Sequence, residues 1–248
     1  MLDEIVYYIV DNIDIKYIFI CLIIFCFFSF IFFIVVSYAL IKLLKVNIDN
    51  NNVLFYQYNK KSKEILDKYG DHKLTKLYLV RQPLAPFVTT FLNIFTLYSY
   101  NKLIAESQDN FPYHTLLVCE VTLTHGQKKW LMIEKNNCIN ITDNFFISNA
   151  QETKELNIKK LNISLNSILN QTQERIGNHA FFNWHLYTNN CQIFTKELLK
   201  TINKYSKHNE EFIFKDKLLK LIIPSEFMLH LCNCICILHN IVVKYIID

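Results

Sequence analysis

Two long apolar runs bracket a region of ordinary alternating pattern. From Tyr17 to Leu44 the chain reads "YIFICLIIFCFFSFIFFIVVSYALIKLL", with Lys42 as its first charge. At the rise of an α-helix, ~20 such residues cross the hydrocarbon core of a bilayer. A signal peptide would show a shorter apolar core behind basic residues. Here the preceding segment, 1–16, carries Asp3, Glu4, Asp11 and Asp14 against Lys16. The pattern therefore predicts a retained transmembrane helix over 17–44. Lys42, Lys45, Lys60, Lys61 and Lys63 follow it, so the positive-inside tendency places the rest of the chain in the cytoplasm. A second run, Phe227 to Ile247, is broken by His230, Asn233, His239, Asn240 and Lys244. It predicts a membrane-embedded or interfacial helix over 225–248.

Between the runs, 46–224 has the size and patterning of one globular domain. "NKKSKEILDKYGD" predicts a helix with Ile65, Leu66 and Tyr69 on one side and Gly70 as its stop. "KLTKLYLVRQPLAPF" predicts a strand ended by Pro83 and Pro86. "TTFLNIFTLYSYNKLI" predicts a short apolar helix through Phe91, Leu92, Phe95, Leu97 and Tyr98. The clearest element is a hairpin. "HTLLVCEVTL" sets Leu117, Cys119, Val121 and Leu123 on one face and His114, Leu116, Val118, Glu120 and Thr122 on the other. "THGQKK" turns the chain, and "WLMIEKNNCINI" returns as the second strand. "NISLNSILNQTQERIGN" then predicts a helix, and "NNCQIFTKELLK" another. Strands flanked by helices without βαβ alternation give an α+β fold with an antiparallel sheet.

Composition changes this picture little. The 248 residues are 52% hydrophobic, with a mean hydropathy of +0.16, and the excess lies in the two runs. A net charge of +4 lacks the concentrated basic face of a nucleic-acid binder. Of eight cysteines, only Cys119, Cys138 and Cys191 lie in the central domain. They form neither a disulfide framework nor a CxxC pair, which fits a reducing compartment and no zinc. In the tail, Cys232, Cys234 and Cys236 with His230 and His239 resemble a ligand set. On a helix, however, Cys234 points away from the other two, so no metal is assigned there. These cysteines are candidates for palmitoylation beside a membrane. Asn140, Asn162 and Asn170 open N-x-[ST] sequons, which a cytoplasmic domain leaves unmodified.

Candidate chemistry centres on Cys191. Asn189 or Asn190 offers a side-chain oxygen to cap a helix beginning there. Phe194, Leu198 and Ile202 fall on one stripe of that helix, and Lys196, Lys200 and Lys204 on another. A thiol in the first turn feels the positive end of the helix dipole, which favours the reactive thiolate. The plainer alternative is an inert thiol packed under the helix. A nucleophile also needs a histidine base brought close by folding. His114, His125 and His185 are available; His125 belongs to the turn, and His185 lies six residues before Cys191.

"NCQIF" before an apolar helix resembles the N-C-[EQ]-[HD]-F signature of the permuted NlpC-type, papain-like thiol enzymes, whose best-known branch is lecithin–retinol acyltransferase-like. The central order also fits: "KYGD", "YLVRQPL", "PYHTLLV", "IEKNNCINI" and "NNCQIF". The likeness runs from about Ile65 to Leu199, and the chain resembles the divergent forms of large DNA viruses and some protists. It implies a circularly permuted papain-like fold with histidine on an early strand and the nucleophile on a later helix. Cys191 and His114 would then be the catalytic pair, with no cofactor, acting on acyl esters or amides of membrane lipids. The register of the viral forms sets the histidine a few residues later, at Val118, and on that register the protein is an inactive relative with a structural role. A cysteine peptidase or amidase of the same fold is the remaining alternative. Glu120 shares the strand face of His114 but lies too far along it to orient the base, and the orienting group stays open.

Overall fold

The computed structural model describes residues 29–30, 56–84, 89–90, 93, 99–106, 113–136, 138–145, 152–185 and 187–214. The chain divides into two compact units, 1–51 and 52–248. Of the first, only Ser29 and Phe30 are described. Both apolar runs thus lie outside the described residues but for these two. Among the described residues no helix is long and apolar enough to cross a membrane.

The second unit is a mixed fold built on a five-stranded sheet in the order β4-β3-β2-β1-β5. The strands are β1 (Leu74–Pro83), β2 (Tyr113–Thr122), β3 (Lys128–Lys135), β4 (Ile139–Thr142) and β5 (Glu152–Leu156). Every pairing is antiparallel, as expected for an α+β chain. The helices are α1 (Lys60–Tyr69), α2 (Ser99–Glu106), α3 (Leu165–Phe182), α4 (Cys191–Thr201) and α5 (Lys207–Ile213). Ile65 and Leu66 of α1 are buried, as its pattern predicts, and Tyr69 is half-buried against the same core; Ser62 is buried as well. Within the segment 89–104, positions 91–92 and 94–98, and with them Phe91, Leu92, Phe95, Leu97 and Tyr98, lie outside the described residues; α2 overlaps its end.

Local chemistry explains several boundaries. Asn59 caps α1 by accepting from the Ser62 N–H at 2.7 Å, which satisfies a first-turn donor. Gly70 ends α1 in an ordinary right-handed conformation. Its lack of a side chain serves a close approach: a Cβ there would lie 2.3 Å from Asn166 Oδ1. Gly177 is different. At φ 81 it breaks α3 internally, a conformation that glycine adopts without steric cost. The break separates the part of α3 that buries Leu165, Ile168 and Leu169 from the Phe181–Phe182 pair, and both parts enter the same core.

The sheet buries both faces. Leu77, Leu79, Leu117, Cys119, Val121, Leu131 and Ile133 pack with Leu165, Leu169, Phe181, Phe194 and Leu198 from the helices. On the opposite face Val80, Leu116, Val118 and Phe145 form a second cluster with Tyr78, Trp130 and Met132. Residues on alternate positions of one strand thus serve two cores, which accounts for the near-continuous apolar run of β2.

Two elements differ from the expectation. The strand predicted over "WLMIEKNNCINI" is two strands: β3 ends at Lys135, a tight turn joins Asn136 N–H to Cys138 O at 3.0 Å, and β4 folds back on β3. The pattern concealed this because apolar residues continue on both sides of "NN". Edge strand β5, "ETKEL", was not expected, since four of its five residues are charged or polar. It is held by backbone pairing to β1 and by an ion pair of Glu152 with the buried Arg81.

Candidate active site

Helix α4 begins where its cap predicts. Asn190 is the N-cap, and its Oδ1 accepts from the N–H groups of Gln192 at 3.0 Å and Ile193 at 3.1 Å. Asn190 rather than Asn189 does this. The Cys191 N–H is a further first-turn donor, which helix geometry leaves without an intrahelical acceptor. Phe194, Leu198 and Ile202 are buried, so the predicted stripe docks α4 on the sheet. Lys200 stays at the surface, paired with Glu197 at 2.9 Å.

The thiol of Cys191 is hydrogen-bonded to the His114 side chain and receives the backbone N–H of Thr115. Burial alone would raise the thiol. The charge of His114 and its hydrogen bond, with the Thr115 contacts, outweigh burial and hold Cys191 below its ordinary value. The Thr115 hydroxyl is buried and has no well-formed hydrogen bond among the described residues. The sulfur is its polar neighbour.

His114 shows the reciprocal effect. Burial pulls its ring down, but the Cys191 thiolate and the hydrogen bonds to Cys191 and Glu134 raise it to about 10. The two shifts run in the directions that favour a thiolate–imidazolium pair. His114 Nε2 meets Glu134 Oε2 at 2.9 Å, which leaves Nδ1 for the sulfur. Only 12% of the His114 side chain and 16% of Glu134 are exposed, so water screens this contact weakly. The second carboxylate oxygen, Glu134 Oε1, accepts from Asn136 Nδ2 at 2.9 Å. The chain of contacts therefore runs Cys191–His114–Glu134–Asn136.

Glu134 is the group the sequence reading left open. Glu120 is engaged elsewhere, accepting from Thr75 Oγ1 at 2.8 Å and pairing with Lys128 at 3.3 Å. The hairpin itself carries a signal for Glu134. Once the turn pairs Leu117 with Ile133, alternation sets Glu134 on the face of His114 and one diagonal step away.

The other two candidate histidines are not part of the cluster. His125 is exposed in the β2–β3 turn. His185 staples its own loop: its Nδ1 accepts from the Tyr187 N–H at 3.3 Å and from the Thr188 N–H at 3.3 Å. Val118, where the viral register would set the base, is fully buried in the second core.

Lys135, next to Glu134, faces the other side of the sheet. It is fully buried and lies 5.4 Å from the centroid of the Phe194 ring. Its Nζ donates to Ala180 O at 3.0 Å, Phe181 O at 2.8 Å and Asn189 Oδ1 at 2.9 Å. Burial pulls its amine down to about 7.

Cys119, Cys138 and Cys191 are free thiols. Burial pushes Cys119 up to about 12, which keeps it protonated and unreactive at neutral pH. Among the described residues no group of three or more His, Cys, Asp or Glu side chains could hold a metal ion. The tail cysteines lie outside them.

No family model, no curated protein and no solved structure matches this chain.

Proposed function

We propose that the protein is a membrane-anchored cysteine-dependent hydrolase or acyltransferase acting on an acyl ester or amide, with Cys191 as nucleophile and His114 as its acid–base partner. The observation that carries this reading is the Cys191 thiol, at the first residue of α4, hydrogen-bonded to an imidazole that is itself held by a carboxylate. Nucleophile, base and orienting acid in contact are the constellation that thiol catalysis requires. Their chain order, with histidine on β2, acid on β3 and cysteine opening a later helix, supports a circularly permuted papain-like arrangement.

The chemistry follows from the pair. The Cys191 thiolate attacks the acyl carbonyl carbon, and the charge that develops on oxygen is met by the Cys191 N–H at the start of α4. The imidazolium of His114 gives its proton to the departing alcohol or amine as the carbon–oxygen or carbon–nitrogen bond breaks. A thioester on Cys191 remains. Neutral His114 then takes a proton from water, or from the hydroxyl of an acceptor lipid, as that oxygen attacks the thioester. Thiolate and imidazolium are restored. Glu134 holds the ring and stabilises its charge in both halves.

A lipid-linked substrate is favoured by the apolar runs at 17–44 and 225–248, which would hold the domain at a bilayer. The test is acyl-enzyme formation with a 4-nitrophenyl fatty-acyl ester, followed by intact mass. Wild type should release one equivalent of nitrophenol rapidly and gain one acyl mass. Equal behaviour of wild type, Cys191→Ala and His114→Ala would remove the enzyme reading. Comparison of acyl esters with acyl amides, and of water with a lysolipid acceptor, assigns the reaction class.

A further inference from the structure

The residue that follows Glu134 is a buried lysine whose bonds lead to the last turn of α3 and to the loop that joins α3 to the nucleophile's helix. From its place on β3, Lys135 reaches Ala180 O, Phe181 O and Asn189 Oδ1, all at 2.8–3.0 Å. The amine offers these acceptors three N–H groups when protonated and two when neutral, so it grips both elements in either state. The loop it grips is short and closed on itself. Asn189 N–H donates to His185 O at 3.0 Å, and His185 N–H returns to Asn189 O at 3.1 Å. Asn189 Nδ2 donates to Asn183 O. The next residue is Asn190, the N-cap of α4, and the one after it is Cys191.

We infer that Lys135 is a positioning residue that sets the Cys191 thiol against His114 by clamping the end of α3 and the α3–α4 loop to the sheet. Consecutive residues of a strand point to opposite faces. One step along β3 thus separates two tasks. Glu134 fixes the base on one side, and Lys135 fixes the nucleophile-bearing loop on the other. Both attach to the same length of backbone, so base and nucleophile are referred to one rigid strand. A purely apolar residue would fill the space beside Phe194 but leave two carbonyls at the end of α3 and the Asn189 amide oxygen without their donor. A buried lysine is an expensive way to fill a core, whereas geometry at a reactive pair is sensitive to displacements of about an ångström.

This rests on Cys191 being the reactive thiol of the proposed function. The full-length chain is alkylated with iodoacetamide across a pH series, and modification of Cys191 is followed by peptide mass mapping. Wild type, Lys135→Met, Asn189→Ala and His114→Ala are compared, each checked for folding by near-ultraviolet circular dichroism. Wild-type Cys191 should react well below the pH range of an ordinary thiol, and His114→Ala should lose that behaviour. Lys135→Met should move the Cys191 midpoint upward by about one pH unit, lowering its rate about 10-fold below the midpoint. Asn189→Ala, which cuts one of the three links, should move it the same way by less, and it keeps the question answerable if Lys135→Met fails to fold. Profiles for folded Lys135→Met and Asn189→Ala that superimpose on wild type would overturn the positioning role alone. A wild-type profile like that of an ordinary thiol would instead overturn the reading of Cys191 and His114, and the inference with it.

Discussion

His114 and Glu134 come from different strands, and their side chains meet with Nε2 2.9 Å from Oε2. The ladder that pairs Leu117 with Ile133 brings Glu134 opposite Leu116 and within diagonal reach of His114. A carboxylate on the imidazole favours its protonated form, and a protonated imidazole favours the thiolate beside it. The state of Cys191 therefore depends on a residue that is not its own neighbour.

Replacing Glu134 by Gln keeps the shape and removes the charge. A hydrogen bond to a charged group contributes about 1.5–3 kcal/mol. Glu134→Gln should accordingly lower kcat/KM for acyl transfer by roughly 10- to 100-fold. The fall in activity at high pH should also begin earlier, since His114 then loses its proton more easily. Initial rates of nitrophenyl ester turnover across pH check both.

Loss of the base should be more severe. General acid–base catalysis by a positioned side chain contributes about 10²–10⁴-fold. His114→Ala should lose activity by that order and Cys191→Ala should form no acyl-enzyme at all. Burst amplitude by stopped flow and intact mass report on these outcomes separately.

The pH profile follows from the directions of the two shifts. The reactive form is thiolate with imidazolium. Lowering pH protonates Cys191, whose titration is held below its ordinary value; raising pH removes the His114 proton, near 10. Activity should form a broad plateau that begins below the usual thiol range and declines toward pH 10. An activity that rises only near pH 8.5, the usual thiol value, would contradict the ion pair.

Lys135 makes a separate prediction about stability. Its amine titrates near 7 in the fold against 10.5 ordinarily. Between these values the unfolded chain holds more protons than the folded one, so stability rises with pH across that window and is lost as pH falls through about 7. Lys135→Met should flatten this rise. The difference between the two proteins in urea-unfolding midpoints, measured from pH 6 to 10, isolates the effect from other titrating groups.

The membrane reading also has a direct check. The full chain should float with liposomes and resist carbonate extraction. Asn140, Asn162 and Asn170 should remain unglycosylated when the protein is made in a cell with a secretory pathway, because the central domain is expected on the cytoplasmic side. A mobility shift on endoglycosidase treatment would reverse the orientation.

Much of the domain follows from local pattern. Period-two alternation located β2 and the β2–β3 turn, and the i, i+4, i+8... spacing of Phe194, Leu198 and Ile202 located the docked face of α4. Asn189–Asn190 before Cys191 marked the helix start, because capping depends on a few adjacent backbone N–H groups. Where local signals were weak, the pattern failed. Strand β5 has almost no apolar residues, and its existence depends on pairing with β1. The break between β3 and β4 depends on a turn at 136–138 that the apolar run conceals.

The site divides along the same line. Sequence by itself placed Cys191 at a helix start and His114 on an early strand, because both are set by short-range patterning. It could not choose between His114 and position 118 as the residue facing the thiol, since that choice rests on how α4 meets β2. Tertiary packing puts Val118 wholly in the second core and His114 against the sulfur. It likewise brings Glu134 to the imidazole, and Lys135 to Asn189 across 54 residues of chain. Contacts across that much sequence form only once the sheet and helices have docked, and they decide which polar residues share a site.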